Sequence, residues 1–210
     1  ASGMDIIENQ AGRENPRSVI TRYNLAASGE KNADGEKENL FELIRSAKRS
    51  GPAGKAFEYS SINTTLLALL AETVENKRWN DIYQERVWSK MTVEGDLQVS
   101  IAPDSTPLPH GLVASRLRDL ARYGMLYTPS WNKAARERIV SQAYVRQIQE
   151  GGRKEIFLRG EIGNHLTTAF FPASPPSANH WQWDAVWPDG DFYKGGVWGQ
   201  GLYVSPARDL

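Results

Sequence analysis

The chain of 210 residues contains no cysteine. That excludes disulfides, zinc–thiolate sites, iron–sulfur clusters and a cysteine nucleophile. It does not fix a compartment, because cytoplasmic and periplasmic proteins alike can do without the residue. An excess of one charge sign is also lacking: 25 Lys and Arg balance 25 Asp and Glu, a formal net charge of zero. Neither a basic nucleic-acid surface nor a polybasic membrane anchor fits that balance. No run approaches the roughly 20 apolar residues that span a bilayer; the longest, Leu66 to Ala71, lies within a helical pattern. The three histidines, His110, His165 and His180, are far apart and match no metal spacing. There is no G-x-S-x-G elbow, no P-loop and no complete dinucleotide fingerprint, so neither a metal nor an organic cofactor is expected. Asp184, Asp189 and Asp191 around Gly190 read as a solvated turn rather than a calcium loop.

What is present suits a folded domain: 40% hydrophobic and 10% aromatic residues. Six helices are expected. Asn15 and Pro16 read as cap and first position of a helix carrying Val19, Ile20 and Tyr23. Leu40, Phe41, Leu43, Ile44 and Ala47 form a second stripe. Ile62, Leu66, Leu69, Leu70 and Val74 form the strongest, with Ser61 or Asn63 available as cap. Three more are expected over about 80–90, from a Ser115 cap to Met125, and over 134–149. Residues 92–112, with three prolines, read as a long connection. Four of the seven tryptophans (Trp181, Trp183, Trp187, Trp198) lie in the last 30 residues. There Gly199-Gln200-Gly201-Leu202-Tyr203-Val204 reads as a strand, with Gln182 to Val186 as its expected partner. The expected organisation is therefore a helical part over 1–150 and the start of a sheet over 151–210. The opening Ala1-Ser2-Gly3-Met4 has no initiating Met and no signal-peptide pattern. It reads as the interior of a protein, so a further piece is expected at each end.

One constellation bears on chemistry. Tyr59 stands just ahead of the strongest helix, where unpaired N–H groups and the positive dipole end favour an anion. A phenolate would be favoured there; the alternative is a tyrosine that simply packs at the helix mouth.

The segment Gly54-x2-Phe57-x-Tyr59-Ser60-Ser61-x-Asn63-x2-Leu66-Leu67-x2-Leu70-x-Glu72 resembles the second motif of the serine β-lactamase and penicillin-binding-protein-like hydrolases. Three further segments resemble the class C-related branch, in order. Ala1-Ser2-Gly3-Met4 is similar to its T-S-G turn. Gly111-Leu112-x2-Ser115-x2-Arg118-Asp119-Leu120-Ala121-Arg122-Tyr123-Gly124 is similar to its G-L helix. Gly199-Gln200-Gly201 and the strand after it are similar to its third motif. The Tyr-x-Ser form and the Trp-Gly-Gln third motif are nearest the esterase and 6-aminohexanoate-oligomer hydrolase branch.

The resemblance implies an α/β chain with the β-lactamase/DD-peptidase-like fold: the helical part plus the first strands of the returning antiparallel sheet. It implies a serine hydrolase acting on a small ester, amide or peptide through an acyl-enzyme. Tyr59 would relay protons, Ser61 would donate a hydrogen bond to lysine or substrate, and the Gln200 N–H would be an oxyanion donor. Asn63 and Gly199 would face the substrate, and Trp183 and Trp198 would either line its pocket or belong to the sheet–helix core. Val197-Trp198-Gly199 stands where β-lactamases have Lys-Thr-Gly, which favours esters or linear amides. The family's Ser-x-x-Lys nucleophile precedes its T-S-G turn and so is expected before residue 1. Ser28-x-x-Lys31 and Ser130-x-x-Lys133 read as chance matches. The alternatives are a β-lactamase, a D-amino-acid carboxypeptidase, or a relative without the nucleophile that only binds peptide or cell-wall fragments. Relatives of this kind favour a periplasmic or exported location slightly over a cytoplasmic one.

Overall fold

The computed structural model describes residues 2–197 and 199–210. The chain forms two compact units, residues 1–82 with 98–114, and residues 83–97 with 115–210. The helices between 115 and 150 cluster with the sheet strands of the second unit.

The first unit holds α1 (Gln10–Glu14), α2 (Val19–Ser28), α3 (Leu40–Arg45), α4 (Ser61–Glu75) and the start of α5 (Trp79–Arg86). It also holds a two-stranded antiparallel pair, β1 (Gln98–Val99), inside the 92–112 stretch expected to be a long connection, and β2 (Val113–Ala114), just beyond it. Asn15 does not cap α2. It ends α1, its side chain accepts the Arg17 N–H, and Ser18 caps α2 by accepting the Thr21 N–H at 3.2 Å. Pro16 accordingly sits in the turn between the two helices. Ile6, Ile20, Tyr23, Ala26, Leu40, Leu43, Ile44, Ile62, Ala102 and Leu108 form the core. On α4 the buried positions are Ser61, Ile62, Thr65 and Ala68, whereas Leu70 and Val74 of the expected stripe are exposed. The face is rotated because Thr65 is drawn inward. Its Oγ1 lies 2.7 Å from the buried Tyr23 hydroxyl, which also lies 2.9 Å from His110 Nδ1.

The second unit contains α6 (Leu117–Met125), α7 (Trp131–Ala134), α8 (Gln142–Glu150), α9 (Lys154–Phe157) and α10 (Glu161–His165), which runs into a π-helical turn over Leu166–Phe170. Of the expected 134–149 helix only the part from Gln142 forms, as α8, because α7 ends at Ala134. Ser141 accepts the Tyr144 N–H and starts α8 there, which leaves 135–141 outside it. The sheet is an antiparallel meander, β3 (Ala178–His180), β4 (Trp183–Val186), β5 (Phe192–Gly195) and β6 (Gly201–Val204), in that order. The partner of β6 is therefore β5, in register Phe192↔Val204 to Gly195↔Gly201, and β4 lies one strand further away. A core of Trp88, Leu126, Tyr127, Ile148, Trp183, Val186, Phe192 and Val204 sits between the inner face of the sheet and the helices. Among the described residues no helix is long and apolar enough to cross a membrane.

Candidate active site

In the first unit the fold brings together two segments that are fifty residues apart in sequence. Gly3 adopts φ +73° and packs backbone to backbone on the Ser50-Gly51-Pro52 turn. A Cβ there would lie 2.5 Å from the Gly51 carbonyl oxygen, so only glycine fits. The Gly3 carbonyl accepts the Ser50 and Gly51 N–H groups at 2.9 and 3.1 Å. Beside this junction lies a cavity of about 180 Å³ whose walls include Gly3, Met4, Pro52, Glu58, Ser60 and Asn63. Tyr59 is half-buried at the mouth of α4, neither sunk in the core nor fully in solvent.

The helix mouth is not capped as its sequence suggests. Ser60 holds the N-cap position with an extended backbone but no capping hydrogen bond, and its Oγ is buried without a partner among the described residues. Ser61, nine-tenths buried, is the first helical residue, and its N–H donates to Glu8 Oε2 at 2.8 Å. The Glu8 N–H in turn donates to the Tyr59 carbonyl at 3.1 Å. The anion drawn to this helix end is therefore the protein's own Glu8 carboxylate, steadied by Arg13 at 3.3 Å. Asn63 is half-buried on the cavity wall and does not act as the cap. Sequence reasoning missed Glu8 altogether. Its partner is 53 residues away, and no local spacing announces it.

In the second unit, Gly199 and Gln200 stand exposed in the turn joining β5 to β6, with Gly199 at φ +80°. The Gly196 N–H closes the turn onto the Gln200 carbonyl at 2.8 Å. Trp198 lies outside the described residues. The pair Gly195↔Gly201 is glycine because the Tyr193 ring lies across it: a Cβ on either residue would lie about 3 Å from that ring. Trp183 is 6% exposed and packs edge-on against Phe192 and Tyr127, at 4.4 and 5.1 Å between centroids. That packing favours the core reading of this ring.

Of the three aspartates near Gly190, Asp189 is exposed in the turn, whereas the other two are tied down. Asp184 accepts from Lys194 Nζ at 2.7 Å and from the Gly195 N–H at 2.9 Å, and buried Asp191 accepts from Tyr203 and Arg208. Among the described residues no cluster of His, Asp or Glu is placed to hold a metal ion. Asp119 and Arg122 of the G-L helix form a structural pair. Buried Asp119 accepts from the Glu94 N–H and from Arg122, at 2.9 and 2.8 Å, and Arg122 also holds the Glu94 carboxylate. The Ser130 hydroxyl donates to Asp209 at 2.6 Å, tying the start of α7 to the final turn of the chain.

A family model described as Beta-lactamase matches residues 17–210. The chain belongs to the beta-lactamase family. The Ser2-Gly3-Met4 turn lies outside that match. A curated relative, the 6-aminohexanoate-dimer hydrolase of Paenarthrobacter ureafaciens, is 26% identical over 195 residues, which is 92% of this chain and 47% of the relative. A solved structure from Bacillus anthracis, provisionally named a 6-aminohexanoate-dimer hydrolase, superposes with a TM-score of 0.65 at 22% identity. It covers 90% of this chain and 46% of that one, and supports the fold. The chain thus spans about half the length of these beta-lactamase-family relatives.

Proposed function

We propose that the intact protein is a serine hydrolase that cleaves a small ester or a linear amide through an acyl-enzyme. The family membership and a relative named as a hydrolase of an amide dimer support this reading. The observation that carries it is the placing of Tyr59, half-buried at the mouth of the longest helix, on a backbone held on both sides. In the proposed reaction a serine hydroxyl, from a Ser-x-x-Lys segment ahead of residue 1, attacks the substrate carbonyl. Its proton passes to Tyr59 and then to the departing amine or alcohol; water releases the acyl group by the same route in reverse. Ser61 donates a hydrogen bond to the lysine or the substrate, and the Gln200 N–H serves as one oxyanion donor. Such a donor typically lowers the barrier by about 3–4 kcal/mol. Asn63 and Gly199 face the substrate.

The test is Tyr59→Phe in the intact protein. Turnover of a p-nitrophenyl ester and of a linear amide should fall by about 10²–10⁴-fold with the fold retained. A nearly unchanged rate refutes the role. A fluorophosphonate should label the intact protein, whereas a penicillin should not. Penicillin labelling would favour a β-lactamase or carboxypeptidase, and no labelling by either would favour a binding protein.

A further inference from the structure

The segment that carries Tyr59 does not hold itself in place. Its own serine at the N-cap makes no capping bond, and that serine's hydroxyl is buried without a partner among the described residues. One residue from the N-terminal stretch grips it at two points. The Glu8 backbone N–H donates to the carbonyl of Tyr59, and the Glu8 carboxylate accepts the N–H of Ser61, two residues on. Tyr59 and Ser61 are thus gripped at their peptide groups by one side chain and its own backbone. The side chain is largely buried, at 13% exposure, and its second oxygen is engaged by Arg13 of α1.

We propose that Glu8 is a positioning residue for the reaction, fixing where the Tyr59 hydroxyl sits by clamping the peptide on both sides of Ser60. This rests on the proton-relay role given to Tyr59 above. Backbone misplacement of about 1 Å at a reacting group costs on the order of 10²-fold in rate, and a charge-assisted bond to a helix-mouth N–H is the stronger kind of clamp. The charged and titratable groups facing Glu8 are Arg13 from α1, Tyr23 from α2 and His110 from the stretch between β1 and β2.

The experiment is a double-mutant cycle in the intact protein. Glu8→Ala should lower kcat by about 10- to 100-fold while KM stays within about threefold. In a Tyr59→Phe background the same change should cost little more, because Glu8 acts through Tyr59. Glu8→Gln keeps an acceptor at full reach and should recover most of the loss. Glu8→Asp keeps the charge but falls a methylene short, and should not. Amide exchange at Ser61, read by NMR, should quicken by about 10- to 100-fold in Glu8→Ala and Glu8→Asp.

An unchanged kcat in Glu8→Ala, losses that multiply across the two sites, or unaltered Ser61 exchange in a folded variant would overturn the proposal. If Glu8→Ala does not fold, the ordering of Gln above Asp decides. If Tyr59→Phe alone keeps full turnover, it is the hydrolase reading of Tyr59 that fails. Ser61 exchange then decides the clamp by itself.

Discussion

Trp183→Ala separates a core ring from a binding ring. The indole sits at the centre of the second unit's aromatic layer, edge-on to Phe192 at 4.4 Å and to Tyr127 at 5.1 Å, with 6% of its surface exposed. Truncating a buried tryptophan to alanine removes its apolar burial and leaves a cavity, at a cost of about 3–5 kcal/mol. The two edge-to-face contacts lie within that sum, at roughly 0.5–1.5 kcal/mol each. For a chain of this size each kcal/mol moves the melting temperature by about 2–4 °C. The variant should therefore melt about 6–20 °C lower, and Trp183→Phe, which keeps one ring, should lose about 1–2 kcal/mol. Thermal unfolding followed by near-ultraviolet circular dichroism reads both the melting point and the loss of aromatic asymmetry. A Trp183→Ala variant that melts within about 2 °C of wild type but raises KM tenfold would place the ring in a binding surface and refute the core assignment.

Other positions give sharper local tests. Gly201→Ala would set a Cβ 2.9 Å from the Tyr193 ring; it should destabilise by about 1–3 kcal/mol in urea, and Tyr193→Ala in the same chain should recover part of that. Tyr23→Phe leaves Thr65 and His110 without their shared hydroxyl and should cost about 1–3 kcal/mol in urea. Burial holds His110 below its ordinary value of 6.5, and the Glu8 charge only partly offsets this. Between the folded value and the unfolded one, the unfolded chain takes up the proton and the folded chain does not. Stability should thus hold steady above 6.5 and fall as pH drops below it, a decline that His110→Gln should flatten in unfolding curves recorded across that range.

The parts of this chain that sequence reasoning could see are those written in local spacing. The helical run from Ser61, the strand after Gly199 and the four segments similar to one hydrolase family are all contiguous, and three of those four segments lie within the family match. What it missed is set by partners far along the chain. The stripe Ile62, Leu66, Leu69, Leu70, Val74 has good helical spacing, yet Tyr23, 42 residues from Thr65, decides which side of α4 turns inward. Asn15 and Ser18 are both good caps in isolation, and the choice between them depends on α1, too short to show a period. β5 escaped notice because Phe192-Tyr193-Lys194-Gly195 is only four residues long, with aspartates before it and glycines after it.

The helix mouth shows how such a miss alters the chemistry and not merely the outline. From sequence, the positive end of α4 was a source of charge for a phenolate at Tyr59. In the fold that charge already has its counterion, because Glu8 accepts the first N–H at 2.8 Å. A macrodipole end is equivalent to about half an elementary charge, and Glu8, itself paired with Arg13, already occupies this end as its counterion, so the helix mouth is not an open site for a second anion. In the proposed reaction the cation beside Tyr59 is the lysine of the Ser-x-x-Lys segment. Replacing that lysine with methionine in the intact protein should then cost at least as much turnover as Tyr59→Phe. A Lys→Met variant that stays within about tenfold of wild type would mean that the helix end still supplies the charge, and that Glu8 does not neutralise it.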